Sequence, residues 1–316
     1  MSLAEGTIEP RRGKPIVVII GGGIAGSVAA CALAGEGARV VLFEPRVSGA
    51  PRRAKCCGHC LSARSRAPLA AFGLDRLVRA HATGELSRVE IVMGGASVTV
   101  PSRGLAVRRD TLDPALLDEA WARGVEVRDC AARIDGTEGA VIADDGTRVS
   151  ADLVVGADGL ASRVARAAGL VDASEQGRRY GVSFDVEAAL PLEDGVVRMS
   201  FIDGGYLGLV RQGGVVHAGM LFDAGTGASD ALVRFADEDP VLARPEFVAA
   251  LAQAAGAGPI PFRTLAAARG RVVLVGDAAG YVEPLSGEGM TWAVESAAAL
   301  AEAVRECGPK RAEWDR

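Results

Sequence analysis

The stretch Ile16 to Glu44, IVVIIGGGIAGSVAACALAGEGARVVLFE, decides how this chain folds. Its first five residues are apolar and β-branched with no polar alternation, the pattern of a parallel strand covered on both faces. Gly21, Gly23 and Gly26 follow in the GxGxxG spacing. That spacing supplies a tight turn, a close backbone approach to a pyrophosphate, and close helix-to-strand packing. The N–H groups and positive dipole end of the helix then face the phosphates. Ala25, Ala29, Ala32 and Leu33 give this helix its buried face, Gly35 and Gly37 end it, and Arg39 to Phe43 return as a second buried strand. Glu44 closes that strand about twenty residues past the glycines, where an acid hydrogen-bonds a ribose 2′-OH. The stretch predicts one βαβ unit for a dinucleotide whose adenosine carries no 2′-phosphate.

The remaining bounds come from length and composition. With 316 residues, the chain has room for two domains or for one large domain with a second inserted. A net charge of −5 gives no basic patch for a phosphate backbone or an anionic membrane, so nucleic acid is not an expected partner. The first ten residues mix Glu5, Gly6, Glu9 and Pro10 and carry no apolar signal core, and Met290 to Val304 is too short and too interrupted by Glu295 and Glu302 to span a bilayer. A cytoplasmic protein without an integral membrane segment is expected. Cys31, Cys130 and Cys307 are scattered, which is not a secreted disulfide framework.

The other three cysteines crowd into Lys55-Cys56-Cys57-Gly58-His59-Cys60, after an irregular basic segment from Pro45. One zinc ion needs four tetrahedral ligands, and no second distant pair exists to complete a set, so no metal is expected. Cys57 to Cys60 also has the CxxC spacing of redox thiols, and small buried thiols beside a loop are the plainer alternative. A helix from Leu61 to Phe72 should follow. Val89–Met93 and Ser97–Val100 flank Gly94-Gly95 as a hairpin, and Asp110 and Pro114 open a helix that lasts until Gly124. Val125 to Arg128 and a hairpin around Asp145-Gly146 come next. The buried strand beginning at Asp152 empties into Asp158-Gly159, placed either to cap a helix or to touch the cofactor. From Gly177 to Phe222, turns at Asp194-Gly195, Gly204-Gly205 and Gly213-Gly214 separate four antiparallel strands, and helices over 230–239 and 246–255 follow. Arg271 to Gly276-Asp277 is a last buried strand, before Pro284-Leu-Ser-Gly287-Glu288-Gly289 opens the final helix. No second GxGxxG marks a separate NADPH domain.

GxGxxG with Glu44, then Asp158-Gly159, then Gly276-Asp277, resembles the FAD-dependent oxidoreductases of the aromatic-hydroxylase fold. Within that superfamily the chain is most similar to the geranylgeranyl reductase family. Lys55-Cys56-Cys57-Gly58 matches its KxCGG motif, Arg109 to Asp113 its Arg-x-x-Leu-Asp, and Gly276 to Gly289 its GDAAG…P-x-x-GEG. The resemblance implies an α/β fold in which a discontinuous Rossmann-like FAD-binding domain (1–87, 104–175 and 265–316) carries an inserted antiparallel-sheet substrate-binding domain (88–103 and 176–264). It implies that Gly21, Gly23, Ile24, Ala25 and Gly26 cradle the FAD pyrophosphate and that Glu44 holds the ribose. Arg109 and Asp277 contact the cofactor on this reading, Gly287, Gly289 and Met290 line the flavin ring, and Cys57 is the catalytic thiol beside it. His59 replaces the family's second glycine, and its Tyr-x-Trp-x-Phe-Pro signature is met only by Tyr206, with Gly208, Val210 and Arg211 at the other places. Relatives carry further C-terminal helices after the point where Arg316 stands, so an active-site cover is expected to be absent or supplied by another subunit.

Four functions compete. An FAD-dependent reductase on an unsaturated apolar small molecule follows from the glycine, cysteine and GEG motifs, with NAD(P)H or another donor as co-substrate. A flavin monooxygenase on a small aromatic or polyketide follows from Asp158-Gly159, a thiol–disulfide oxidoreductase from Cys57 and Cys60, and a non-enzymatic flavin scaffold from the nucleotide motifs alone.

Overall fold

The structure is a computed structural model that describes residues 7–8, 14–45, 55–171, 179–260, 264–281, 287–310 and 314. The basic segment after Pro45, the start of the repeated strands at Gly177 and the residues Pro284 to Ser286 lie outside them.

Six strands form the nucleotide-binding sheet, in the order Ala268–Arg269, Val272–Leu274, Leu153–Gly156, Ile16–Ile20, Arg39–Phe43, Glu126–Arg128. All neighbours run parallel except at the Ala268–Arg269 edge. Alternate side chains of Ile16–Ile20 enter two different cores, which is why the run has no polar position. Val17 and Ile19 pack with the helices Ile24–Gly35, Arg109–Ala122 and Gly289–Cys307. Ile16, Val18 and Ile20 pack on the other face, against the helix Arg163–Ala167 and a small sheet made of Thr7–Ile8, Arg148–Ser150, Ala140–Ala143 and Ala132–Ile134. Each such Val or Ile contributes about 1.5–3 kcal/mol by leaving water. Ten of the twelve residues of Ile24–Gly35 are buried, so this helix is apolar nearly all round and docked on every side.

A second sheet has eight strands in the order Ala255–Ile260, Arg179–Val186, Val215–Asp223, Gly205–Gln212, Val196–Ile202, Ala82–Met93, Ala96–Val107, Cys60–Ser62. The four strands expected between Gly177 and Phe222 are present and antiparallel to one another where they pair. The sheet as a whole is mixed, since Val196–Ile202 joins Ala82–Met93 in parallel. The hairpin at Gly94-Gly95 is much longer than its apolar runs predict, each arm having twelve residues. Leu61 starts no helix. Cys60–Ser62 is a strand paired with Gly104–Ala106, and the chain turns through Ala63–Ser65 before the short helix Arg66–Ala71.

One face of the large sheet, with Phe184, Val186, Leu207, Leu209, Val216, Ala218 and Phe222, is covered by the helices Ala228–Glu238 and Pro245–Leu251. The period-2 alternation puts Gly181, Ser183, Asp185, Tyr206, Gly208, Gln212, His217, Gly219 and Leu221 on the opposite face. There Met199, Tyr206, Leu221 and Ile260 pack with Leu160 and Tyr281, which follow the Asp158-Gly159 and Gly276-Asp277 motifs. Among the described residues no helix is long and apolar enough to cross a membrane.

Candidate active site

The site begins at the glycine turn. Gly21 has φ +109°, and a Cβ there would lie 2.4 Å from the Ala157 carbonyl oxygen. A Cβ on Gly26 would lie 1.9 Å from the Gly21 carbonyl, so the helix rests directly on the turn. The Gly21 N–H donates to the Phe43 carbonyl at 2.9 Å and the Gly22 N–H to Glu44 Oε2 at 2.7 Å, which fixes the acid over the turn. Gly23 has no side chain with which to cap the helix, which leaves its first N–H groups open to an anion. Ile24 and Ala25 point their side chains into the core and offer backbone to the site.

Three further segments meet this turn. Asp158 lies with its backbone against Gly21, while its carboxylate accepts from Ser162 Oγ at 2.5 Å and from the Arg163 and Val164 N–H groups at 2.6 and 3.2 Å. Both oxygens therefore serve a helix cap, and Gly159 turns the chain at φ +81°. Gly276 abuts Ala25, a Cβ on it falling 2.8 Å from the Ala25 methyl. Asp277 is exposed on the turn that follows. Surrounding protein raises its carboxyl above the ordinary value, and Arg109 and Lys55 pull the other way. Gly287 lies against Cys60, and Gly289 opens the last helix. Met290 is 2% exposed with its side chain in the core, so only its backbone can border a ring.

The cysteine segment is wedged between this turn and the large sheet. Lys55 reaches over Gly23 and binds Asp113 Oδ2 at 2.7 Å. Arg109 holds the same carboxylate in a fork, at 2.6 and 2.8 Å, and lies near the Cys57 thiol, whose sulfur accepts from the His59 N–H at 3.4 Å. Burial alone would raise the Asp113 carboxyl, but Arg109 and Lys55 outweigh it and hold the group below the usual range. The Cys56 thiol lies at Gly181 and Ser183, and burial, then the neighbouring Cys57, pushes it up to about 12. Cys60 donates to the Gly58 carbonyl at 3.2 Å, with its thiol also pushed up to about 12 by burial. A buried Cys60 of that kind makes a poor resolving thiol, which counts against the dithiol reading.

His59 does not supply the cation beside Cys57. Burial, then the neighbouring His217, lowers its imidazole to about 3, so it is neutral. Its backbone occupies the left-handed region at φ +56°. There it takes up the conformation a glycine would favour, and its ring is held by His217 in a 3.7 Å stack and by Gln212 at 3.2 Å. Arg109 is the cation at Cys57. Sequence reasoning offered Lys55 or His59 as the neighbour that makes Cys57 more acidic, gave Asp113 no site role, and passed over Asp185 and His217. Lys55 and Asp113 lie 58 positions apart, and a lone His in an alternating strand carries no signal.

An uncapped helix N-terminus, two cations beside it and a carboxylate at the ribose end suit a dinucleotide with an anionic centre. Together with the fold they define a flavin-adenine dinucleotide oxidoreductase. Residues 15–204 match the family described as FAD binding domain, and the chain belongs to that family of FAD-dependent enzymes. It is 31% identical to digeranylgeranylglycerophospholipid reductase 2 of Methanopyrus kandleri, with 87% of this chain and 72% of that protein aligned. It is 30% identical to menaquinone reductase of Mycolicibacterium smegmatis, covering 92% and 76%. The fold is that of P. aeruginosa PqsL, solved with 2-aminobenzoylacetate, at TM-score 0.73 and 22% identity over 93% of this chain and 86% of that one.

Asp277→Ala is expected to weaken FAD retention by roughly 1 to 3 kcal/mol, the cost of losing a charged hydrogen-bond acceptor. Fluorescence titration of the apoprotein with FAD measures it, and an unchanged affinity would remove Asp277 from the cofactor site.

Proposed function

We propose that this enzyme is a reductase that saturates a carbon–carbon double bond in an apolar small molecule, in the cytoplasm, with NAD(P)H or another donor restoring the cofactor. The observation that carries this is the Cys57 thiol. It lies on a segment pinned between the glycine turn and the sheet face at Gly181, His217 and Gly219, with the Arg109 guanidinium nearby. Gly21, Gly23, Gly26 and the first turn of the helix would hold the pyrophosphate, with Lys55 and Arg109 adding positive charge. Glu44 would hold the ribose, and Asp158-Gly159, Asp277, Gly287 and Gly289 would border the rest. When bound, FAD supplies the hydride.

The chain's own residues then have three tasks. Met199, Tyr206, Leu221 and Ile260 with Leu160 and Tyr281 give an apolar wall that excludes water. The sheet face orients the substrate, which assigns residues 88–103 and 176–264 to substrate binding and the rest to the cofactor. The Cys57 Sγ delivers the proton that completes the new C–H bond, and the Arg109 guanidinium balances the thiolate left behind.

Cys57→Ser is expected to bind FAD and accept electrons normally, yet reduce its organic substrate at least about tenfold more slowly, roughly 1.4 kcal/mol in the barrier. Cys56→Ser should do much less, because that thiol faces Gly181 and Ser183. Anaerobic single-turnover with menaquinone and geranylgeranyl compounds as first substrates measures both. Turnover that requires O₂ and places one oxygen atom in the product would replace this reading with a monooxygenase.

A further inference from the structure

His217 and Asp185 stand directly opposite each other on neighbouring strands of the large sheet, on the face turned to the cysteine segment. His217 Nδ1 lies 2.6 Å from Asp185 Oδ1, and Nε2 lies 2.8 Å from the Cys57 carbonyl oxygen. A backbone carbonyl can only accept. Asp185 accepts as well, because its second oxygen takes a 2.9 Å bond from the Arg108 guanidinium, which has no acceptor to offer. Both ring nitrogens must therefore donate, and only the imidazolium does that. The remaining charges around it fit. Arg108 is neutralised by Asp110 as well as Asp185, and the stacked His59 ring is neutral. Gln212 adds no competing charge, nor does the Cys56 thiol, which burial pushes up to about 12.

We propose that His217 is a positioning residue: as the imidazolium cation paired with Asp185 it grips the Cys57 carbonyl and fixes the reactive-cysteine segment against the sheet, and loss of its proton releases that segment. The peptide it grips is the one between Cys57 and Gly58, which a Cβ at Gly219 would approach to 3.6 Å. Once the proton leaves, the Nε2 lone pair faces a carbonyl oxygen at hydrogen-bond distance, and attraction turns to repulsion. The grip therefore weakens as pH rises. The protonation state stands on the geometry alone, whereas its consequence for turnover rests on Cys57 being the proton donor.

The chain contains only three histidines, so ¹⁵N-histidine labelling of the untagged FAD-loaded protein gives an assignable spectrum. At pH 7, His217 should show two protonated ring nitrogens and His59 one. In Asp185→Asn the imidazolium loses its anion, and His217 should give up its proton at least about one pH unit lower, a tenfold weaker hold. The rate of Cys57 alkylation by iodoacetamide, followed by mass spectrometry across pH, should break upward at the pH where His217 loses its proton. That break should move down with it in the variant. A His217 carrying a single ring proton at pH 7 overturns the proposal, and so does an alkylation profile that Asp185→Asn leaves in place. If Asp185→Asn fails to fold, the spectrum and alkylation profile of the unaltered protein still decide it. Absence of any double-bond reduction would overturn the reductase reading and leave both measurements standing.

Discussion

A Gly26→Ala protein is expected to purify colourless, with FAD affinity down at least about a hundredfold, or roughly 2.7 kcal/mol. The added methyl carbon would lie 1.9 Å from the Gly21 carbonyl oxygen and 3.1 Å from the Ala157 methyl. Contacts below 3.0 Å are not tolerated, and the obstacle is backbone. Gly21 cannot retreat, because its own Cβ position is already within 2.4 Å of the Ala157 carbonyl and its φ is +109°. The helix must instead lift by about 1 Å, and overpacking of this kind costs about 1–3 kcal/mol. The same movement carries the N–H groups at Gly23 and Ile24 away from where a pyrophosphate would sit. Gly35→Ala is the control on the same helix. Nothing lies within 4 Å of a Cβ there, so it should keep its flavin and be at least as stable. The ratio of flavin to protein after gel filtration, with thermal unfolding of both variants, gives the comparison. Parent-like flavin content in Gly26→Ala would mean that this turn does not hold the cofactor.

That clash was legible in the sequence because it is local. The run Ile16–Ile20, the spacing of Gly21, Gly23 and Gly26, and the return strand Arg39–Phe43 all follow from short-range rules, and all three stand where the chain pattern puts them. The strands Gly205–Gln212 and Val215–Asp223 were legible for the same reason, through alternation and a Gly213-Gly214 turn. The outer half of the long hairpin was not. Ser97 to Pro101 are exposed on both faces, and a strand solvated on both sides leaves no apolar period. Cys60–Ser62 is a three-residue strand paired with the distant Gly104–Ala106, and the parallel join of Val196–Ile202 to Ala82–Met93 spans about a hundred residues. The site divides the same way. The glycine and Gly-Asp motifs carry their own geometry, whereas Arg109, Lys55, Asp113 and Cys57 form a unit only after folding. His59 looked like a broken motif from sequence. In the fold, the stack on His217 and the bond to Gln212 hold a side chain where glycine is the usual solution.

Asp113→Asn is expected to lower unfolding stability by about 3 kcal/mol at pH 7, at the lower end of the range for breaking a buried ion pair, since Lys55 is 39% exposed and keeps part of its hydration. The Asp113 side chain is 3% exposed and binds both Arg109 and Lys55. Asparagine keeps one acceptor oxygen but turns an NH₂ group toward a guanidinium or an ammonium, so one cation faces a donor and both lose their counter-charge. The carboxyl is depressed in the folded state, so its contribution is complete above the ordinary carboxylate range and is lost as pH falls through the folded-state value. Parent and variant should therefore differ by a constant amount from about pH 5 to 8 and converge in acid. Urea unfolding of the FAD-free proteins across that range measures the difference. FAD should narrow it, because its phosphates would bring negative charge to the same two cations. A variant as stable as its parent at pH 7 would show that Lys55 and Arg109 do not depend on Asp113, and the fork that aims Arg109 at Cys57 would then need another origin.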